Sequence, residues 1–113
     1  YDKMLADTPL QLPYVADYAR HVYYSYATIT PSEEERKNLL IFLSDHDIGG
    51  FAMYPILVPM QGAYEDLGYT EADFPIGASY ATRVLNLPMF ETLREDEAVT
   101  TAEAILAYYD RAG

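Results

Sequence analysis

A chain of 113 residues is enough for one domain, and this one carries a formal charge of −11 and no cysteine. The charge repels phosphate backbones and anionic bilayers, which weighs against nucleic-acid and membrane partners. The missing thiols exclude disulfides and thiolate metal sites, and no apolar run reaches the roughly 20 residues that span a bilayer.

Residues 1–8, YDKMLADT, read as the end of a helix, and the N-terminus as the interior of a longer chain or a trimmed one. An irregular link with Pro9 and Pro13 follows. HVYYSYATIT (21–30) is dense in β-branched and aromatic residues and predicts a strand. Val22, Tyr24, Tyr26 and Thr28 would share one face and His21, Tyr23, Ser25, Ala27 and Ile29 the other. Both faces carry bulk, so both are expected to be covered.

Ser32 with Glu35 forms a capping-box pattern at the start of a helix. Leu39, Leu40, Phe42 and Leu43 give that helix its apolar face, and His46-Asp47-Ile48-Gly49-Gly50 ends it. GFAMY (50–54) is a second, short strand candidate. A long connector follows, YPILVPMQGAYEDLGY (54–69), with a short helix over residues 60–67 closed by Gly68. Connectors of this length without regular structure are uncommon in compact domains and are often functional.

Asp73-Phe74-Pro75 starts another helix, with Pro75 in the first turn where its missing N–H is not needed. That helix is expected to carry Ala78, Ala81, Val84 and Leu85. Residues 86–90, NLPMF, read as a brief extended piece, too proline-bound for a central strand. Thr92 and Glu95 repeat the capping-box pattern. The last helix runs to about Asp110, with Ala98, Ala102, Ile105, Leu106 and Tyr109 on one side. The expected class is α+β, a small antiparallel sheet covered by helices in one domain over 1–113.

No catalytic constellation is self-sufficient here. His21 and His46 lie too far apart to be spaced as ligands, and a metal site needs three or four converging donors. His46, between Asp45 and Asp47, reads as a helix-capping histidine, and His21 as a half-exposed strand histidine. Lys37 sits on the charged face of a capped helix, and Lys3 is the only other lysine; a Schiff-base lysine needs partial desolvation. G-x-S-x-G, P-loop and G-x-G-x-x-G motifs are all absent. Twelve tyrosines without a tryptophan suit half-buried or interface positions, or an ordinary tyrosine-rich core edge.

The order of the segments resembles the C-terminal small domain of the PLP-dependent nucleotide-sugar aminotransferases of the DegT/DnrJ/StrS type. That family's strand H-V-Y-H-x-Y is matched by HVYYSY (21–26), its G-I-G turn by DIGG (47–50), and its loop H-Y-P-x-P-L-H-x-Q-x-A-Y by MYPILVPMQGAY (53–64). Its L-G-Y, D-x-P-x-A helix and L-x-L-P-M-F are matched by DLGY (66–69), ADFPIGAS (72–79) and VLNLPMF (84–90). Where the family has histidines, Tyr24, Met53 and Pro59 stand.

The resemblance implies the C-terminal domain of fold-type I PLP-dependent transferases. It implies a cytoplasmic parent that moves an amino group from an amino acid, glutamate foremost, to a keto-sugar nucleotide. It places no catalytic residue here. Tyr54, Pro55, Gln61 and Tyr64, with His21 in support, would line the substrate side of a cleft. PLP would belong to the full-length parent, held by a large domain that this chain lacks, and the parent would be a homodimer. Two other readings stay open: a stand-alone, non-catalytic module derived from that domain that binds a sugar nucleotide, and a plain protein-interaction domain using its tyrosine surface.

Overall fold

The computed structural model describes residues 1–112. Its elements are α1 (Asp2–Leu5), β1 (Tyr26–Ile29), α2 (Glu33–Asp45), α3 (Pro75–Ala81), β2 (Val84–Leu87) and α4 (Glu95–Ala112). Three 3-10 turns, Val58–Met60, Gly62–Leu67 and Glu71–Asp73, lie between α2 and α3. β1 and β2 pair antiparallel, with Tyr26 opposite Leu87, Ala27 opposite Asn86, Thr28 opposite Leu85 and Ile29 opposite Val84. Single bridges add Gln11 outside β1 and Phe51 outside β2. This is the expected α+β architecture.

Strand alternation explains where the core sits. Tyr26, Thr28, Leu85 and Leu87 share one sheet face, and all four are buried. Against that face lie Leu5, Leu10, Leu39, Leu43, Ala102 and Ile105, the last two from α4. The Thr28 hydroxyl donates to the Leu85 carbonyl at 2.9 Å, so its polar atom is satisfied inside the core. Thr30 closes the sheet end, donating its hydroxyl to the Arg83 and Ser32 carbonyls. Tyr26 donates its hydroxyl to the Asp2 carboxylate, and the Tyr1 ring lies 4.9 Å from the Tyr26 ring. These contacts tie α1 to β1.

The helix ends follow local chemistry. The Ser32 side chain accepts the Glu35 N–H at 3.1 Å, as an N-cap should. The Glu35 carboxylate does not complete the box. Its Oε1 is buried beside α4 without a closed hydrogen bond, as is the Tyr109 hydroxyl. Burial first, and the Glu35 carboxylate second, push the Tyr109 phenol far above its ordinary value. His46 is the C-cap of α2, with its Nδ1 2.7 Å from the Phe42 carbonyl.

Several expectations need correction. The strand expected over 21–30 forms only at 26–29. Tyr23 sits at φ +49, which breaks the extended run, and Val22 and Tyr24 are more than four-fifths exposed rather than covered. The candidate strand at 50–54 shrinks to the Phe51–Asn86 bridge, because Tyr54 turns left-handed at φ +52. Val84 and Leu85 belong to β2, not to the helix before it, which stops at Ala81. Residues 86 and 87 are paired residues of β2, and Asn86 is bridged to Phe51 on its other side. Pro88 follows the last paired residue, so its missing N–H costs the ladder nothing. The capping box expected at Thr92 and Glu95 does not form; two residues on, the Glu97 carboxylate accepts the Arg94 N–H at 2.9 Å, without a side-chain bond in return because a guanidinium cannot accept one. Asp73 caps its own 3-10 turn by accepting the Thr70 N–H at 2.7 Å.

Ala81 is buried, and the segment before it, from 52 to 80, forms an arm that contributes no buried residue. It helps give the molecule extents of 47 × 36 × 24 Å.

Leu85→Ala should cost about 2–5 kcal/mol, as a large-to-small change at a fully buried site, read as a lower urea midpoint with an unchanged m-value. Burial first raises the Tyr1, Tyr26 and Tyr109 phenols above their ordinary value of 10.0. Their contribution is therefore complete below pH 10 and lost as pH rises beyond it, when the unfolded chain releases protons that the fold retains. A melting temperature that falls steeply above pH 10, and less steeply in Tyr26→Phe, is the expected result. Limited proteolysis should cut first between residues 54 and 74, where backbone is exposed, and leave β1 and β2 intact.

Candidate functional site

The arm is the site that the sequence singles out, and its backbone is built for display rather than packing. Two prolines, Pro55 and Pro59, remove backbone donors and disfavour helix for the residues before them. Short 3-10 turns take over. The Met60 N–H donates to the Leu57 carbonyl at 2.8 Å, and the Gln61 N–H to the Val58 carbonyl at 3.1 Å. Gly68 ends the second turn at φ +67, a conformation that a glycine adopts without strain. Thr70 and Asp73 close the third turn; the Thr70 N–H and then its hydroxyl hold the Asp73 carboxyl below its usual range.

The predicted site residues are placed as follows. Tyr54 stands at the root of the arm, exposed and left-handed, with exposed Pro55 after it. Gln61 and Tyr64 meet in one turn, where the Tyr64 N–H donates to the Gln61 carbonyl at 2.8 Å. The side chains of both face solvent. His21 lies in a separate segment. Its Nδ1 accepts the Tyr23 N–H at 2.8 Å, and its ring lies 4.3 Å from the Tyr23 ring. The five residues thus fall into three groups, and none of them lines the clefts described next.

Among the described residues one concave region of about 300 Å³ lies along α3 beside Tyr80 and Arg83, and four others bear on the arm and the sheet. The largest, about 530 Å³, lies where the end of α2, the exit of β2 and the start of α4 meet, and includes His46, Phe51, Met89 and Phe90. Its cation, Arg94, is already engaged by Asp96 at 3.0 Å and Glu97 at 3.4 Å. A second, about 450 Å³, lies between α1, Tyr23, Tyr26 and α4. A third, about 370 Å³, sits within the arm between Leu57, Pro59 and Phe74 to Gly77. A fourth, about 270 Å³, is lined by Tyr24, Ser25, Phe51, Met53, Leu87 and Met89. Sequence reasoning missed Phe51 and Met89 as lining residues. The signal was available in the alternation around the β2 motif, but only the sheet register shows which neighbours they meet.

The chain's own groups do not make a PLP site. Lys37 is paired with Glu33 at 2.6 Å and more than half exposed, and Lys3 is exposed on α1. Neither has the partly desolvated setting that a Schiff-base lysine needs. Among the described residues no three His, Asp or Glu side chains gather to hold a metal, and no helix is long and apolar enough to cross a membrane.

Comparison with known proteins places these features. A profile of the DegT/DnrJ/EryC1/StrS aminotransferase family matches residues 1–106. A pleiotropic regulatory protein of Geobacillus stearothermophilus is 31% identical over 97 residues, which is 86% of this chain and 25% of that protein. A dTDP-3-amino-3,4,6-trideoxy-alpha-D-glucose transaminase of Micromonospora megalomicea subsp. nigra is 30% identical, over 85% of this chain and 25% of its own length. Among solved structures, S. venezuelae DesV in complex with a ketimine intermediate superposes with a TM-score of 0.87 at 27% identity, over 95% of this chain and 28% of that one. The sugar aminotransferase Spr1654 of Streptococcus pneumoniae, solved in PLP and PMP forms, shares the fold, with TM-scores of 0.81 and 0.82 at 21% identity. This chain therefore spans about a quarter of the length of the relatives it matches, and it belongs to the DegT/DnrJ/EryC1/StrS aminotransferase family.

Proposed function

We propose that residues 1–113 are the small C-terminal domain of a cytoplasmic, PLP-dependent nucleotide-sugar aminotransferase. The observation that carries this reading is that nearly the whole fold superposes on one quarter of an aminotransferase, with sequence identity retained. The parent transfers an amino group from an amino acid, glutamate first, to a keto-sugar nucleotide. PLP supplies the electron sink for that chemistry, and it belongs to the large domain, since the lysines here do not fit it. The chain alone does not transaminate.

In this reading the arm completes the substrate cleft when the large domain and a second copy of the parent are in place. Tyr54 stacks on or hydrogen-bonds to the ligand, Gln61 reads a hydroxyl, and Pro55 and Tyr64 shape the wall, with His21 behind them. The exposure of Tyr54, Ile56, Val58, Leu67 and Ile76 supports an arm that is covered in the parent. A second reading rests on Met53 and Pro59, which replace the two loop histidines of the family motif. It makes the chain a non-catalytic binding module derived from the domain.

Transfer of ¹⁵N from labelled glutamate to a keto-sugar nucleotide decides between them. The full-length protein should load PLP and transfer label, whereas the 113-residue chain should do neither. Tyr54→Phe and Gln61→Ala should each raise the sugar-nucleotide KM several-fold with little change in kcat. A full-length protein that loads no PLP yet binds the nucleotide sugar would establish the second reading.

A further inference from the structure

Tyr23 holds left-handed backbone at φ +49. Bulky residues rarely adopt it, and such strain persists only where the surroundings enforce it, ligand clamps among them. The enforcing group is His21. Its Nδ1 accepts the Tyr23 N–H at 2.8 Å across two residues, in the manner of an Asx turn, and its ring lies 4.3 Å from the Tyr23 ring. The strained turn places the Tyr23 side chain in the wall of the cavity of about 450 Å³ between α1 and α4, a volume in the range that small organic ligands fill.

Three tyrosines bound this cavity, Tyr1, Tyr23 and Tyr26. The Tyr1 and Tyr26 rings lie 4.9 Å apart and are tilted by 53°. The Tyr23 and Tyr26 rings are near parallel, at 19°, but their centroids are 6.1 Å apart. That separation is too wide for a closed face-to-face stack, so ring surface stays open to the cavity. Two of the three hydroxyls are already committed: Tyr1 donates to the Pro88 carbonyl at 3.0 Å, and Tyr26 to the Asp2 carboxylate. Met4, Met89 and Val99 add thioether and aliphatic wall. The charged lining groups are the Asp2 and Glu95 carboxylates against the Lys3 ammonium, an excess of negative charge.

This lining repels an anion and gives a polyol few free partners. Open ring faces, polarizable sulfur and surplus carboxylate suit a cation whose charge is spread over alkyl groups, because such an ion needs no directed hydrogen bonds.

We propose that this cavity binds a small alkylated ammonium ion, and that His21 is a positioning residue which holds the Tyr23 ring as one wall of the site. The ion rests against the Tyr1 and Tyr23 rings, with Tyr26 beneath them and the Asp2 and Glu95 carboxylates near its charge. This site is independent of the amino-transfer reading above.

The test uses the full-length protein, choline, and the uncharged analogue of choline with carbon in place of nitrogen. Binding is read by saturation-transfer NMR titration of the probe methyl signals. Choline should bind about tenfold more tightly than the neutral analogue, the size of a partly desolvated cation–π contact. Tyr23→Phe should keep that preference and Tyr23→Leu should lose most of it. His21→Leu should reproduce the Tyr23→Leu loss, and His21→Asn, whose amide oxygen can accept the same N–H, should restore most of it. Glu95→Gln, at an exposed position of α4, should weaken choline several-fold and leave the neutral analogue unchanged, and it serves if Tyr23→Leu does not fold. Equal affinity for the two probes, or no binding of choline at all, overturns the site. So does choline affinity within twofold of the unmodified protein in Glu95→Gln and in folded Tyr23→Leu. A loss in His21→Leu that His21→Asn does not restore overturns the positioning role.

Discussion

The pairing of Tyr26–Ile29 with Val84–Leu87 is the constraint on which the rest depends. It joins segments far apart in sequence, and it brings four buried side chains onto one face over α2 and α4. Phe51 extends the same sheet: its N–H and carbonyl exchange hydrogen bonds with Asn86 at 3.2 and 2.8 Å. The arm thus leaves the sheet at Phe51 and returns into β2 beside its own starting point. Both ends are anchored in one rigid place, so the segment between them can be irregular without loosening the core.

That anchoring resolves the conflict between stability and display. The core is made by leucines, an isoleucine, an alanine and one tyrosine at fixed positions, none of them in the arm. The arm carries prolines, short 3-10 turns and one left-handed glycine. These are local devices that need no tertiary partner, and they leave Tyr54, Ile56, Val58 and Leu67 open to water. That exposure is the observation behind the proposed covering of the arm in the parent. The length of the family's other members is in keeping with such a covering.

The chain's electrostatics point the same way. Seven of its acidic residues are used locally, in helix first turns and in the Thr70–Asp73 turn. Of its few cations, Lys37 and Arg94 are taken by neighbouring carboxylates, and Arg83 by the Ser79 and Thr30 oxygens. These three cations are therefore already engaged within the domain.

The sequence by itself determined much of this. Ser32 marks the start of α2, Gly68 the end of a turn, and the apolar stripe through Ala102 and Ile105 the buried face of α4, because caps and helical periodicity are local properties. The succession of motifs was enough to identify the family. Tertiary structure alone decided where strands begin and stop. Val84 and Leu85 read equally well as the last turn of a helix, and only the partner β1 selects strand. Tyr-Tyr at 23–24 reads as ordinary alternation, and only the His21 bond and the Tyr26 ring send one tyrosine inward and the other out. The site was legible as an irregular, tyrosine-rich segment, but its division into separate groups was not. Which side chains meet across a cleft depends on long-range register, and no window of sequence carries that information.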